Sequence, residues 1–149
     1  MKAQNLIEML GLEKHPEGGW YRQTFKDREM RENRAYSTAI YYLLQKGECS
    51  RWHRVDATEI WHYYAGAPLK LSISPDGNST RDHILGKDLF SGQKPQLIVE
   101  KMHWQSATSL GEWTLCGCTV SPGFEFSGFE MAKEGWKPGS GSGSGSGSG

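Results

Sequence analysis

No sign of charge predominates in this chain: lysine plus arginine and aspartate plus glutamate stand at 17 each among 149 residues. Without a net field there is nothing to draw in a nucleic-acid backbone or an anionic membrane surface, so neither partner is expected. Long apolar runs are also missing. No stretch approaches the roughly 20 residues that span a bilayer, and the N-terminal MKAQNLIEMLGLEKHPEGG lacks the apolar core and small-residue cleavage site of a secretory signal. A cytoplasmic location is the resulting expectation. Cysteine is scarce and odd in number, with Cys49, Cys116 and Cys118. Cys116 and Cys118 lie two apart, which on a strand turns both side chains to one face, and buried reduced thiols are the simplest reading.

Residues 139–149 contain only alternating glycine and serine. Such a tract has no apolar side chain to bury and reads as a flexible linker or tag. The remaining 1–138 suit one domain with a single core, burying roughly 68% of the surface that its unfolded chain exposes. Six tryptophans, six tyrosines and five phenylalanines supply bulky material for that core or for a pocket.

Apolar periodicity marks one helix and then strands. Leu6, Ile7, Met9 and Leu10 suit one face of a short helix over residues 4–12, with Gly11 placed to end it. Residues 36–44 (YSTAIYYLL), 59–64 (EIWHYY), 69–74 (LKLSIS) and 112–120 (EWTLCGCTV) are rich in β-branched and aromatic residues and read as strands. Turn signals separate them at Gly47, Gly66, Pro75-Asp76-Gly77-Asn78, Gly92, Gly111 and Pro122-Gly123. Many short strands at this spacing argue an all-β sandwich or barrel, and a jelly roll closes most of the edges they would otherwise expose.

The segment GECSRWHRVDATEIWHYYAG, residues 47–66, carries the chemistry. It reads Gly47, five residues, His53, one residue, Val55, three residues, Glu59, six residues, Gly66. This resembles the first motif of the cupin superfamily, a glycine, five residues, His-x-His, three or four residues, Glu, six residues and glycine. Val55 stands where the second histidine belongs. Further blocks, among them HPEGGWYR at 15–22, STAIY at 37–41, WQSA at 104–107 and VSPGF at 120–124, are similar to the Cupin-5 family, a domain of unknown function, over residues 5–136. The resemblance implies an antiparallel jelly-roll barrel with a short N-terminal helix, paired into a homodimer, with a small-molecule pocket inside the barrel. It also implies that the second cupin motif falls on residues 100–105, EKMHWQ. There Gln105 takes the ligand position, Glu100 and Met102 replace the usual proline and glycine, and His103 shares the parity of Gln105.

Three readings of that pocket follow. A divalent metal (Zn, Fe, Mn or Ni) wants three or four converging donors, for which His53, Glu59, Gln105 and His103 are the candidates. Alternatively, His53 is a general base oriented by Glu59, with Tyr63 or Tyr41 as the acid, suited to proton abstraction beside a carbonyl. This arrangement resembles metal-free cupins such as sugar-nucleotide epimerases. Trp61, Tyr63, Phe124 and Phe126 would then stack on a carbohydrate-like metabolite. The third reading is recognition without chemistry. By strand parity His62, Trp52 and Arg54 point away from the pocket. His15, His83 and the run KDREMRENR at 26–34 read as solvated surface or loop, and Gly18-Gly19 as the turn before the first strand.

Overall fold

The computed structural model describes residues 1–140, so most of the Gly-Ser tract lies outside the described residues. Helix α1 (Ala3–Leu10) comes first, buries Ala3, Leu6 and Ile7, and stops at Gly11, whose left-handed φ of 65° breaks the helical path. The strands that follow are β1 (Glu13–Lys14), β2 (Trp20–Lys26), β3 (Met30–Arg31), β4 (Arg34–Ala35), β5 (Thr38–Gln45), β6 (Cys49–Val55) and β7 (Thr58–Gly66). After them come β8 (Leu69–Ser74), β9 (Arg81–Leu85), β10 (Gln96–Val99), β11 (Trp104–Ser109), β12 (Trp113–Ser121) and β13 (Phe129–Met131). Among the described residues no helix is long and apolar enough to cross a membrane.

Two antiparallel sheets make the jelly roll, one ordered β1-β2-β5-β12-β7-β10 and the other β13-β6-β11-β8-β9. Their inner faces enclose the main core, where Tyr42, Leu44, Trp61, Leu71 and Cys116 are almost wholly buried. Each large side chain of this kind contributes about 1.5–3 kcal/mol through removal from water. The expected reading of Cys116 and Cys118 as free buried thiols holds.

The outer face of the first sheet is covered by α1, whose Leu6 and Ile7 meet Leu43 and Leu115. Strand β5 is therefore apolar on both faces. Thr38, Ile40 and Tyr42 line the barrel interior, while Tyr41 belongs with the helix-side cluster. On the second sheet, Trp52 and Arg54 do face outward, and the C-terminal segment of this same chain covers them. Trp52 packs with Trp136 at a centroid distance of 6.1 Å, and Arg54 binds Glu130 at 2.7 Å.

Irregularities in the ladders redirect side chains. Gln105 pairs with His53 but Ala107 pairs with Ser50, so β6 bulges at residues 51–52, and both Ser50 and His53 end up buried. A second shift, between Leu115 and Cys116, leaves Tyr64 unmatched in β7. The basic-acidic run 26–34 is exposed over most of its length, as expected, and carries the β3–β4 hairpin, from which Arg34 clasps Asp56 at 2.8 Å and the Gly123 carbonyl at 2.7 Å. In the turn before β11, Met102 holds a left-handed φ of 68°. The chain thus keeps a conformation that favours glycine although its side chain is bulky.

Candidate functional site

A cavity of about 190 Å³ opens inside the barrel, and its polar lining includes His15, Glu17, His53, Glu59, Tyr42 and Cys118, with Gln23 and Thr38 as neutral neighbours. An engineered cavity of about 150 Å³ accepts benzene, so the space suits a molecule of roughly one six-membered ring. Phe124 and Phe126 line the same cavity, with Phe126 half exposed at its mouth. Their loop is tied down by the Phe124 N–H, which donates to Thr38 Oγ1 at 2.8 Å.

His15 and Glu17 reach the cavity because the loop before β2 folds onto the barrel. The Glu17 carbonyl accepts the Arg51 N–H at 2.8 Å, and the His15 N–H donates to the Gly19 carbonyl at 3.0 Å. Gly18, at φ 109°, sits so close that an added Cβ would overlap the Cys49 carbonyl oxygen. Gly19, at φ 78°, would place a Cβ only 2.8 Å from the Leu43 carbonyl oxygen. The paired glycines are what let backbone press on backbone there. Tyr42 completes the clasp by donating its hydroxyl to the Gly18 carbonyl. Burial holds that hydroxyl well above the usual phenol range, so it remains a proton donor.

His53 Nδ1 lies 2.7 Å from the Arg51 carbonyl oxygen, a partner that only a ring N–H can satisfy, so the second nitrogen, Nε2, faces the cavity. Nε2 is 3.4 Å from Glu17 Oε1. Glu17 Oε2 accepts the Ser50 hydroxyl at 2.5 Å, and Oε1 also lies 3.5 Å from His15 Nδ1. His15 Nδ1 accepts the Glu17 backbone N–H at 3.1 Å, which puts its own hydrogen on Nε2. Burial lowers the pKa of His15, only partly offset by Glu17, so this imidazole is neutral at neutral pH.

Glu59 is held from behind. Trp61 Nε1–H donates to Gln105 Oε1 at 2.8 Å, which fixes the amide, and Gln105 Nε2 donates to Glu59 Oε1 at 2.9 Å. The indole only donates, so the order of this chain is determined. Burial raises the Glu59 carboxyl from 4.5 to about 7, with His53 lowering it and Glu17 raising it further.

The sequence expectations divide accordingly. His53, Glu59, Phe124 and Phe126 line the cavity. Trp61 and Gln105 lie behind its wall as supports for Glu59. Tyr41 is on the helix side of the sheet, because parity along an apolar run is ambiguous when both faces are covered. Tyr63 is outside the lining, where its hydroxyl donates to the Gly66 carbonyl at 2.6 Å. His103 is also outside the lining, and its own N–H closes the 100–103 turn on the Glu100 carbonyl. His62 faces outward as parity requires, with Nε2 3.0 Å from Thr119 Oγ1. His15, expected at the surface, is instead buried in the site, and Glu17, Ser50 and Tyr42 went unassigned. The usable signal was His-x-Glu followed directly by two glycines, a loop able to approach other backbone.

The expected metal set is not assembled. Of its four members only His53 and Glu59 line the cavity, and the Gln105 oxygen is taken by Trp61. Among the described residues no group of three or more His, Cys, Asp or Glu is arranged to hold a metal ion. The donors present therefore do not fit a divalent centre.

No match is found among curated proteins. Among solved structures, a protein of Shewanella oneidensis is 36% identical with a TM-score of 0.84, covering 88% of this chain and 84% of that one. A hypothetical protein from Leishmania major is 28% identical with a TM-score of 0.82, covering 87% and 86%. Oxalate decarboxylase from Bacillus subtilis shares the fold alone, at 12% identity and a TM-score of 0.62, covering 79% of this chain and 29% of that one. Residues 4–132 match the model of Cupin_5, described as cupin superfamily (DUF985), and the chain belongs to that family.

Proposed function

We propose that the cavity is the site of an isomerase- or epimerase-type proton transfer on a small polar metabolite. One observation carries the reading: a buried carboxyl that titrates at about 7 shares a cavity with a second carboxyl already engaged with an imidazole. A carboxyl that keeps its proton towards neutrality, beside an imidazole nitrogen, provides a proton donor and a proton acceptor in one cavity. His53, fixed by the Arg51 carbonyl and steadied by Glu17, acts as the base through Nε2. Glu59, protonated in part at neutrality, returns or supplies the proton. The hydrophobic mouth formed by Phe124 and Phe126 excludes water once a ligand is seated. A metal-dependent reaction is the competing class, since Bacillus subtilis oxalate decarboxylase, a relative in fold, has Mn(II) centres. The donor set described above gives it no support from this chain's own residues.

The test is wash-in of solvent deuterium. Proton abstraction beside a carbonyl exchanges the C–H before any product accumulates, so a panel of small hydroxy-aldehydes and hydroxy-ketones in D2O reports the step by proton NMR. Loss of the α-C–H signal is expected for at least one member, and loss of that exchange in Glu59→Gln and His53→Ala. Absence of exchange across the panel, with measurable binding of its members, favours a recognition domain instead.

A further inference from the structure

We propose that the cavity selects a small polar molecule bearing no negative charge, a neutral hydroxy compound or a protonated amine, and rejects carboxylates and phosphates. This rests on the cavity being the functional site, and it narrows the substrate class. The observation is the charge of the lining: Glu17 and Glu59 contribute two carboxyls, and neither lysine nor arginine is present. Arg34 is spent on Asp56 and the Gly123 carbonyl, and Arg51 turns its guanidinium to the Ala132 carbonyl at 3.3 Å. The histidines do not repair the deficit. His15 is neutral, and any charge on His53 is already balanced by Glu17 at 3.4 Å.

An anion entering this space loses its hydration, meets two carboxyls and finds no unpaired positive group. A neutral molecule meets acceptors on Glu17 and Glu59 and a donor on His15. A protonated amine gains a carboxylate partner in Glu59 together with aromatic neighbours, Tyr21, Phe124 and Phe126. The consequence for the reaction class is direct. A sugar nucleotide, with its phosphates, is the wrong substrate for this barrel, and so is a dicarboxylate.

Cys118 lines the cavity and serves as a built-in reporter. Methyl methanethiosulfonate (neutral), its 2-aminoethyl analogue (cationic) and its 2-sulfonatoethyl analogue (anionic) are applied to the full chain. In each case the thiolate attacks the reagent's sulfenyl sulfur, a mixed disulfide forms and methanesulfinate leaves. Rates at Cys118 are followed by peptide mass spectrometry and divided by the same reagent's rate with 2-mercaptoethanol. Burial raises the Cys118 thiol, which slows all three reagents alike and cancels in their ratio. The neutral and cationic reagents are expected to lead the anionic one by at least about tenfold. An anionic rate equal to the others, or above them, overturns the charge rule and leaves the proton-transfer reading standing. No modification of Cys118 by any reagent even as pH is raised to ionise its thiol, while exposed Cys49 reacts in the same sample, shows a cavity closed to small molecules and overturns both.

Discussion

Replacing Glu59 by glutamine removes one ionisable proton from the barrel interior and keeps the acceptor that Gln105 Nε2 uses. The size of the effect follows from where the carboxyl titrates. An ordinary glutamate ionises near 4.5, whereas Glu59 does so at about 7. That separation, 7 − 4.5, is 2.5 pH units, and at about 1.36 kcal/mol each it corresponds to about 3 kcal/mol. The folded state holds this proton to a higher pH than the unfolded state does. The Glu59 contribution is therefore most favourable below pH 4.5, declines as pH rises through the interval up to about 7, and stays low above it. Glu59→Gln has no such decline. Relative to the parent, the variant should gain up to about 3 kcal/mol between pH 4.5 and pH 8. Urea unfolding followed by tryptophan fluorescence at several pH values measures the difference directly. A gap between variant and parent that is constant with pH would refute the reasoning, because a side chain with an ordinary carboxyl gives no slope there.

Other consequences follow from single contacts. Met102→Gly, at φ 68° and with the methionine partly exposed, should stabilise the chain by about 1 kcal/mol, read as a raised urea midpoint. Gly18→Ala should do the opposite, lowering stability by about 1–3 kcal/mol and displacing Glu17, because its Cβ has only the Cys49 carbonyl to move against. Tyr63→Phe and His103→Ala should leave ligand affinity unchanged in calorimetry, since both residues lie outside the cavity. Metal analysis of protein purified without nickel resin should give well under one equivalent, and the same value in His53→Ala.

The strands were largely readable because alternation and turn residues act locally. Residues 69–74 form β8 with the expected bounds. The helix is shorter than expected because Gly11 ends it in a left-handed turn. His53 and Glu59 were legible because their spacing resembles the first cupin motif, and both line the cavity. The rest of the site was not, for physical reasons that can be named. Tyr42 and Tyr41 are adjacent in a run whose two faces are both buried, one by the barrel and one by α1, so the apolar pattern does not say which faces in. Ser50 joins His53 inside only because β6 bulges between them. His15 and Glu17 arrive through tertiary contact, the backbone of their loop lying against β5 and β6, which no local periodicity reports. Trp61 and Gln105 are buried, yet Trp61 donates to Gln105 and Gln105 to Glu59, so both stand behind the cavity wall.

The central claim is that Glu59 stands at the edge of ionisation inside a cavity shared with His53 and Glu17. Titration of carboxyl-13C-labelled glutamate by NMR, with Glu59→Gln to assign the resonance, tests it most directly. A midpoint at about 7 is the predicted result. A midpoint near 4.5 would contradict the account, because a carboxyl that is ionised throughout the neutral range has no proton to supply.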